Sequence, residues 1–300
     1  GTTLVRAISS TPLKAEATRS RWQFTSAGSN ANEAWSNPDS DVVFVATRHN
    51  THASFAEQLL RANRAVFVEK PLALTASELG RVVTAQRATG GRLMVGFNRR
   101  FAPAVRWALD YLGSDRANLR FLSRINAGPL PPEHWLLDPQ VGGGRLVGEG
   151  CHFIDLASFV ASSRPTEVFA RPRGDSRVGE TPQDFVIDLE FANGSTATIE
   201  YVSSGDPSLG KERYEIHRQG VSIVIDDFLR GEGRRAGKVT RRNWRTRDKG
   251  HRDEVRAFLE AVRTGGPTPI PEEESIRSSA LTLAAVESLR EGRPVRFSEP

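Results

Sequence analysis

Two short stretches hold the residue types that can do chemistry. The first is Glu69-Lys70-Pro71, which ends the apolar run Ala65-Val66-Phe67-Val68. A charged pair at the carboxyl end of a buried strand, followed at once by a helix start, is where open α/β sheets bind ligands. Desolvation in such a crevice lowers the pKa of an ammonium, which suits Lys70 to proton transfer. Pro71 holds Lys70 extended, and its peptide bond can take either isomer. The plain alternative is a solvated ion pair ending a strand. The second stretch places Glu149, His152 and Asp155 three residues apart on a predicted helix, so their side chains share a face. Such a row can hold a metal, close on itself as a structural His–Asp pair, or present an imidazole to a ligand. We expect no metal, because a carboxylate site of the bundle type needs partner helices of the same kind.

The surrounding pattern says what must position these residues. Apolar runs at 3–8, 41–47, 65–68 and 92–97 alternate with helical segments at 12–22, 52–61 and 76–88. That alternation predicts a parallel, doubly wound sheet. Thr75 and Glu78 form a capping box that starts the helix after Lys70. The other strand ends carry Ser9-Ser10, Ala46-Thr47 and Asn98-Arg99-Arg100, with His52 opening the helix at 52–61. An acid at Ser9 or Ser10 would favour NAD; serines with Lys14 and Arg19 nearby lean to NADP, or read as an ordinary helix start. Arg99 and Arg100 can bind a substrate carboxylate or hydroxyls, or ion-pair across a domain junction. From residue 99 the character changes. Alternating runs at 119–126, 166–170, 185–191, 196–202, 214–219 and 221–226, with an Asn193-Gly194 turn, predict a mostly antiparallel sheet with one covered face. Helices at 103–112, 252–262 and 271–290 accompany it, and 295–297 returns to a sheet. The expected division is therefore 1–98, an α/β domain, and 99–300, an α+β domain with an open sheet.

Composition bounds the reading. Three hundred residues suffice for two domains with sizeable cores, and no apolar run approaches the ~20 residues of a membrane helix. A single cysteine excludes a disulfide framework and suits a reducing cytoplasm. No secretory leader pattern opens the sequence. The net charge of +5 is concentrated: residues 230–252 hold ten Lys/Arg against two acids, leaving the remainder negative. With Trp244 among them, these residues raise nucleic acid as a partner, but no binding motif accompanies the charge; a solvated, mobile hairpin or loop is expected.

Val66-Phe67-Val68-Glu69-Lys70-Pro71-Leu72-Ala73-Leu74-Thr75 resembles the Glu-Lys-Pro signature of the Gfo/Idh/MocA family of NAD(P)-dependent oxidoreductases. Gly142-Gly143-Gly144 followed by Gly148-Glu149-Gly150-Cys151-His152-Phe153-Ile154-Asp155 resembles that family's second motif, Gly-Gly-Gly and then Asp-x-Gly-x-His-x-x-Asp. Gly96-Phe97-Asn98-Arg99-Arg100-Phe101 is similar to its segment lining the domain junction. The resemblance spans residues 3–297. It implies a Rossmann-type domain and hydride transfer between NAD or NADP and a secondary alcohol or carbonyl of a sugar, inositol or related polyol. Lys70 would be the acid/base beside the nicotinamide, and His152 would face the reacting carbon. Ser9, Ser10, Ala46, Thr47, His52, Glu69, Lys70, Pro71 and Asn98 would lie along the cofactor. The substrate would meet Arg99, Arg100, Trp135, Glu149 and Asp155. An open sheet face implies a homo-oligomer.

The sequence departs from the pattern twice. Gly148 stands where the family commonly has Asp. No Gly-x-Gly-x-x-Gly turn opens any βα unit, so the first unit is expected to lie outside this sequence, by truncation or in a longer, fused parent. Both departures keep a second reading open: a non-catalytic ligand-sensing or accessory domain on the same fold.

Overall fold

The computed structural model describes residues 2–173 and 182–299. The chain opens with β1 (Arg6–Ile8), α1 (Pro12–Trp22), β2 (Ser26–Gly28) and the single-turn α2 (Glu33–Ser36). Then follow β3 (Val42–Val45), α3 (His49–Arg61), β4 (Ala65–Val68), α4 (Ala76–Thr89) and β5 (Leu93–Val95). All pairing here is parallel, as the α/β alternation requires, but it forms two sheets, β1-β2 and β3-β4-β5. No described strand joins β1 to β3, and Phe44 on β3 is 42% exposed. Register aligns Val45, Val68 and Val95 across the larger sheet. The next residues, Ala46, Glu69 and Gly96, therefore sit side by side at one edge, tied by Glu69 N–H to Val45 O and Gly96 N–H to Val68 O at 2.8 Å each. The predicted capping box starts α4: Thr75 Oγ1 accepts from Glu78 N–H, and the Glu78 carboxylate accepts from Thr75 N–H.

Beyond the 3-10 turn Asn98–Phe101 come α5 (Pro103–Leu112), β6 (Arg120–Asn126), a turn of π-helix at Leu146–Gly150 and α6 (Cys151–Ala161). The remaining strands are β7 (Pro165–Pro172), β8 (Phe185–Phe191), β9 (Thr196–Val202), β10 (Glu212–Arg218), β11 (Val221–Asp226), β12 (Arg230–Arg235) and β13 (Lys238–Asn243). With β14 (Val295–Arg296) they make one nine-stranded sheet, ordered β13-β12-β11-β10-β6-β9-β8-β7-β14. Only the central β6–β9 pair is parallel. Alternate residues such as Phe121, Ile199, Tyr214 and Ile223 are buried in one core with residues of α5 and α6.

The last helices, α7 (His251–Thr264) and α8 (Glu272–Glu291), cross the expected division at residue 98. Phe258 packs edge-on to Phe44 and tilted to Phe67 in the first core, while Leu281 and Ala285 belong to the second. Full burial of a side chain of Phe258's size stabilises by roughly 1.5–3 kcal/mol, so the carboxyl terminus fastens the two halves together. Of the two forms expected for the basic segment, hairpin or loop, residues 230–243 take the hairpin, and its outer strand is exposed throughout. β12 and β13 form the outer edge of the sheet, and Trp244 is turned edge-on to Trp107. Among the described residues, no helix is long and apolar enough to cross a membrane.

Candidate active site

The strand-end row and the glycine-rich turn meet at Lys70. Its Nζ donates to the carbonyl of Gly148 at 2.6 Å, joining residues 78 apart in the sequence. The Lys70–Pro71 bond is cis. Behind it, His52 Nδ1 donates to the Pro71 carbonyl at 2.7 Å, with the Thr47 carbonyl 3.2 Å from Nε2. Burial holds the His52 pKa below its usual value, so the ring is neutral and has one proton, which the shorter contact takes. His52 was expected along the cofactor. At 1% exposure it instead turns inward and clamps the turn that carries Lys70. Ala46 and Thr47 remain exposed at the neighbouring strand end, and Ser9 and Ser10 end β1 in the smaller sheet.

Across the crevice, Gly143 and Gly144 adopt positive φ, and His49 Nδ1 donates to the Gly142 carbonyl at 2.8 Å. Gly148 explains itself by space. A Cβ there would meet Leu136 Cδ1 at 2.4 Å and His49 Cε1 at 3.0 Å, so an Asp has no room unless both move. The Arg48 guanidinium lies 4.1 Å over the Trp135 ring, which meets His49 edge-on at 4.8 Å. Burial pushes the His49 pKa down to about 4.

His152 opens α6 as a neutral imidazole. Burial, then the cations Arg99, Lys70 and Lys249 around it, hold its pKa well below the ordinary value. Its Nδ1 is buried with no hydrogen-bond partner among the described residues. An orphaned ring nitrogen is costly unless a ligand satisfies it. Glu149 accepts from Tyr201 Oη at 2.7 Å and from Lys211 Nζ at 3.4 Å, with Arg145 Nη1 at 3.6 Å from the other oxygen. Burial opposes its charge, but Lys211, Tyr201, Arg145 and Lys70 together hold its pKa below the usual value. Cys151, buried and with its thiol pushed up to about 12 by that burial, is no nucleophile.

Three predicted substrate contacts are redirected. Asp155 does not pair with His152: it takes Arg100 bidentately at 2.6 and 2.8 Å and accepts from Ser278 Oγ at 2.7 Å. Arg100 also reaches Glu274. Arg99 grips Glu212 through two bonds of 2.8 Å, and Lys249 and Tyr214 donate to the same carboxylate. Burial opposes ionisation of Glu212, yet Arg99 and Lys249 hold it well below the carboxylate range. Arg99, Arg100 and Asp155 thus lock the junction between the two halves and offer little to a substrate. Asn98 is likewise buried, donating to the Lys249 carbonyl at 2.8 Å. The Glu149–His152–Asp155 row diverges and holds no shared centre.

Sequence reasoning missed His49, Tyr201, Lys211, Glu212 and Glu254. Glu254, 1% exposed on the first turn of α7, has Oε1 unpartnered; burial, then Glu69 beside it, push its carboxyl up to about 9. Only its place in an apolar helical run could have signalled it. Along this crevice Ala46 and Thr47 are exposed, and Glu69 and Lys70 are half-buried.

Comparison with known proteins identifies the family and the fold. Residues 1–97 match the model of an oxidoreductase family's NAD-binding Rossmann fold, and 121–297 match that family's C-terminal alpha/beta domain. The inositol 2-dehydrogenase of Rhizobium meliloti is 27% identical over 87% of this chain and 82% of its own length. The 1,5-anhydro-D-fructose reductase of Ensifer adhaerens is 26% identical over 85% of this chain and 79% of its own. Among solved structures, an oxidoreductase domain protein from Kribbella flavida superposes with a TM-score of 0.87 at 21% identity, covering 99% of this chain and 91% of that one. A levoglucosan dehydrogenase in complex with NADH and levoglucosan gives 0.85 at 22%, over 99% and 91%.

Proposed function

We propose that this chain, which belongs to the Gfo/Idh/MocA oxidoreductase family, transfers a hydride between its nicotinamide cofactor and a secondary alcohol or carbonyl carbon of a sugar, inositol or related polyol. The observation that carries the reading is the Lys70–Gly148 bond, which puts an amine from the parallel sheet against the turn that presents His152. The bound nicotinamide supplies or accepts the hydride. In the oxidative direction, the Lys70 amine takes the hydroxyl proton as the C–H bond of the same carbon breaks and the carbonyl forms. In the reductive direction the protonated amine returns it. His152, a neutral and half-buried imidazole, holds the reacting oxygen and relays the proton. Glu149 and Trp135 face the remaining hydroxyls, and Ser9, Ser10, Ala46, Thr47 and Glu69 border the cofactor. The relatives' names, inositol 2-dehydrogenase and 1,5-anhydro-D-fructose reductase, support a cyclic polyol or sugar.

The division of labour follows the two cores: residues to about 98 hold the cofactor, and those beyond shape the substrate side and self-association. The face of the nine-stranded sheet that bears Leu122, 43% exposed, supports a homo-oligomer. The test pairs a titration of NADH and NADPH, read by thermal stabilisation, with a panel of inositols and sugars read by cofactor reduction. Stabilisation together with turnover of at least one polyol is expected. Stabilisation by polyols without turnover would favour the sensing role that Gly148 leaves open, and silence from both arms would remove the enzymatic reading.

A further inference from the structure

A second concavity, of about 670 Å³, lies between α5, the carboxyl end of α6 and the start of α8. Five arginines line it: Arg100, Arg106, Arg116, Arg164 and Arg277. Two are committed, Arg100 to Asp155 and Glu274, and Arg277 to Glu299 at 2.8 Å. The other three form no ion pair among the described residues. Arg106 rests over two rings, 5.4 Å from the Phe101 centroid and 5.5 Å from that of Phe159. Arg116 donates one Nη1 to the Phe159 carbonyl at 3.2 Å, and its Nε is buried without a partner. Arg164, exposed, makes no side-chain hydrogen bond among the described residues.

Of the carboxylates on the same lining, Glu274 and Glu299 are taken by Arg100 and Arg277, so three uncommitted cations face Asp110 alone and repel one another. Burial, then Arg100, lower the Arg106 pKa, and burial, then Arg106, lower that of Arg116; Asp110 offsets this only in part. Such crowding is relieved by an anion. Guanidinium forks match phosphate oxygens bidentately, and a phosphate monoester carries about −1.5 to −2 charges near neutrality, against one for a carboxylate. The volume exceeds what free phosphate fills and falls within the roughly 300–1,000 Å³ of small-molecule sites. The side chains of Ser158, Ser162 and Ser163 on the same wall suit a hydroxylated body.

We propose that this pocket binds a small hydroxylated organic phosphate, held by Arg106, Arg116 and Arg164. It adjoins the Arg100–Asp155 pair, and its existence does not depend on the chemistry at Lys70.

The experiment is calorimetric titration of the whole chain with glucose 6-phosphate, inorganic phosphate and glucose, at constant ionic strength, for the wild type, Arg106→Gln and Arg164→Gln. Glucose 6-phosphate should bind saturably and more tightly than inorganic phosphate, any glucose binding should be unaffected by Arg164→Gln, and each substitution should weaken the ester at least tenfold. Arg164 is exposed and unpaired, so its variant keeps the test informative even if Arg106→Gln, which loses its ring contacts, does not fold. Absence of saturable binding by the ester overturns the proposal. So does ester affinity left unchanged by Arg164→Gln, which would place the phosphate elsewhere, as would inorganic phosphate binding as tightly as the ester.

Discussion

The junction at Asn98–Phe101 and the crevice at Lys70 use buried polar groups in opposite ways. At the junction the carboxylates that face Arg99 and Arg100 are met: Glu212 by Arg99, Lys249 and Tyr214, and Asp155 by Arg100 and Ser278. In the crevice the pairing is left short: among the described residues His152 Nδ1 has no partner, and Lys70 Nζ donates to a backbone carbonyl. Satisfied networks fix one arrangement, whereas unsatisfied groups in an accessible cleft hold capacity for a ligand. The same residue types, one turn or one position apart, are therefore sorted into scaffold and site by whether their partners are already inside the protein.

Substitutions on the two sides should separate cleanly. In the crevice, Lys70→Met should lower turnover by about 10²–10⁴-fold, the usual share of a general acid–base group, while the melting temperature stays within a few degrees. Steady-state kinetics beside a thermal melt reads both. A large melting shift with retained turnover would make Lys70 part of the scaffold. At the junction, Glu212→Gln should do the reverse. It strands Arg99 and Lys249 as buried, under-compensated cations, a loss of about 3–5 kcal/mol visible as a lower denaturant midpoint. If Glu212→Gln kept full stability and lost activity, the comparison would collapse.

This sorting marks the limit of what the sequence discloses. The organising strand Ala65–Val68, its capped helix and the antiparallel runs were legible, because apolar periodicity and Thr-x-x-Glu caps are local signals. So was the pairing of the Lys70 and His152 stretches, though only through family resemblance. Arg99 and Arg100 were legible as chemistry but not as partners. Glu212 lies 113 residues from Arg99, and nothing local says that it faces inward at the edge of a sheet. His52 misled for the same reason: its position after a strand end fits a ligand contact, and only the fold shows Pro71 O within reach. The split between β1-β2 and β3-β4-β5 follows from which edges find partners, which no residue in either strand encodes.

Gly148 offers a sharper test of the same contrast, with a smaller effect. Gly148→Asp installs the residue that the family commonly carries, but its Cβ would press on Leu136 and His49. Overpacking of this kind costs about 1–3 kcal/mol, and the expected result is a lower midpoint with no gain in turnover. A variant that folds as well as the wild type and turns over faster would mean that the missing acid, and not the packing, defines this position.

The last effects come from two groups that the fold buries uncharged, and they are read as slopes of stability against pH. His49 has its pKa pushed down to about 4 from 6.5. Between those values the unfolded chain binds a proton that the folded chain does not, so stability falls as pH drops through that window. Glu254 has its pKa pushed up to about 9 from 4.5. There the folded chain keeps a proton that the unfolded chain releases, so stability falls as pH rises across that range. Each group contributes a slope of about 1.4 kcal/mol per pH unit inside its window. His49→Asn keeps a donor for the Gly142 carbonyl without a titrating ring and should flatten the acid limb of a melting profile. Glu254→Gln, which mimics the neutral carboxyl, should gain stability over the wild type steadily towards pH 9 while leaving the acid limb alone. Parallel profiles for all three proteins would mean that solvent reaches both groups and that the crevice is wetter than its buried side chains indicate.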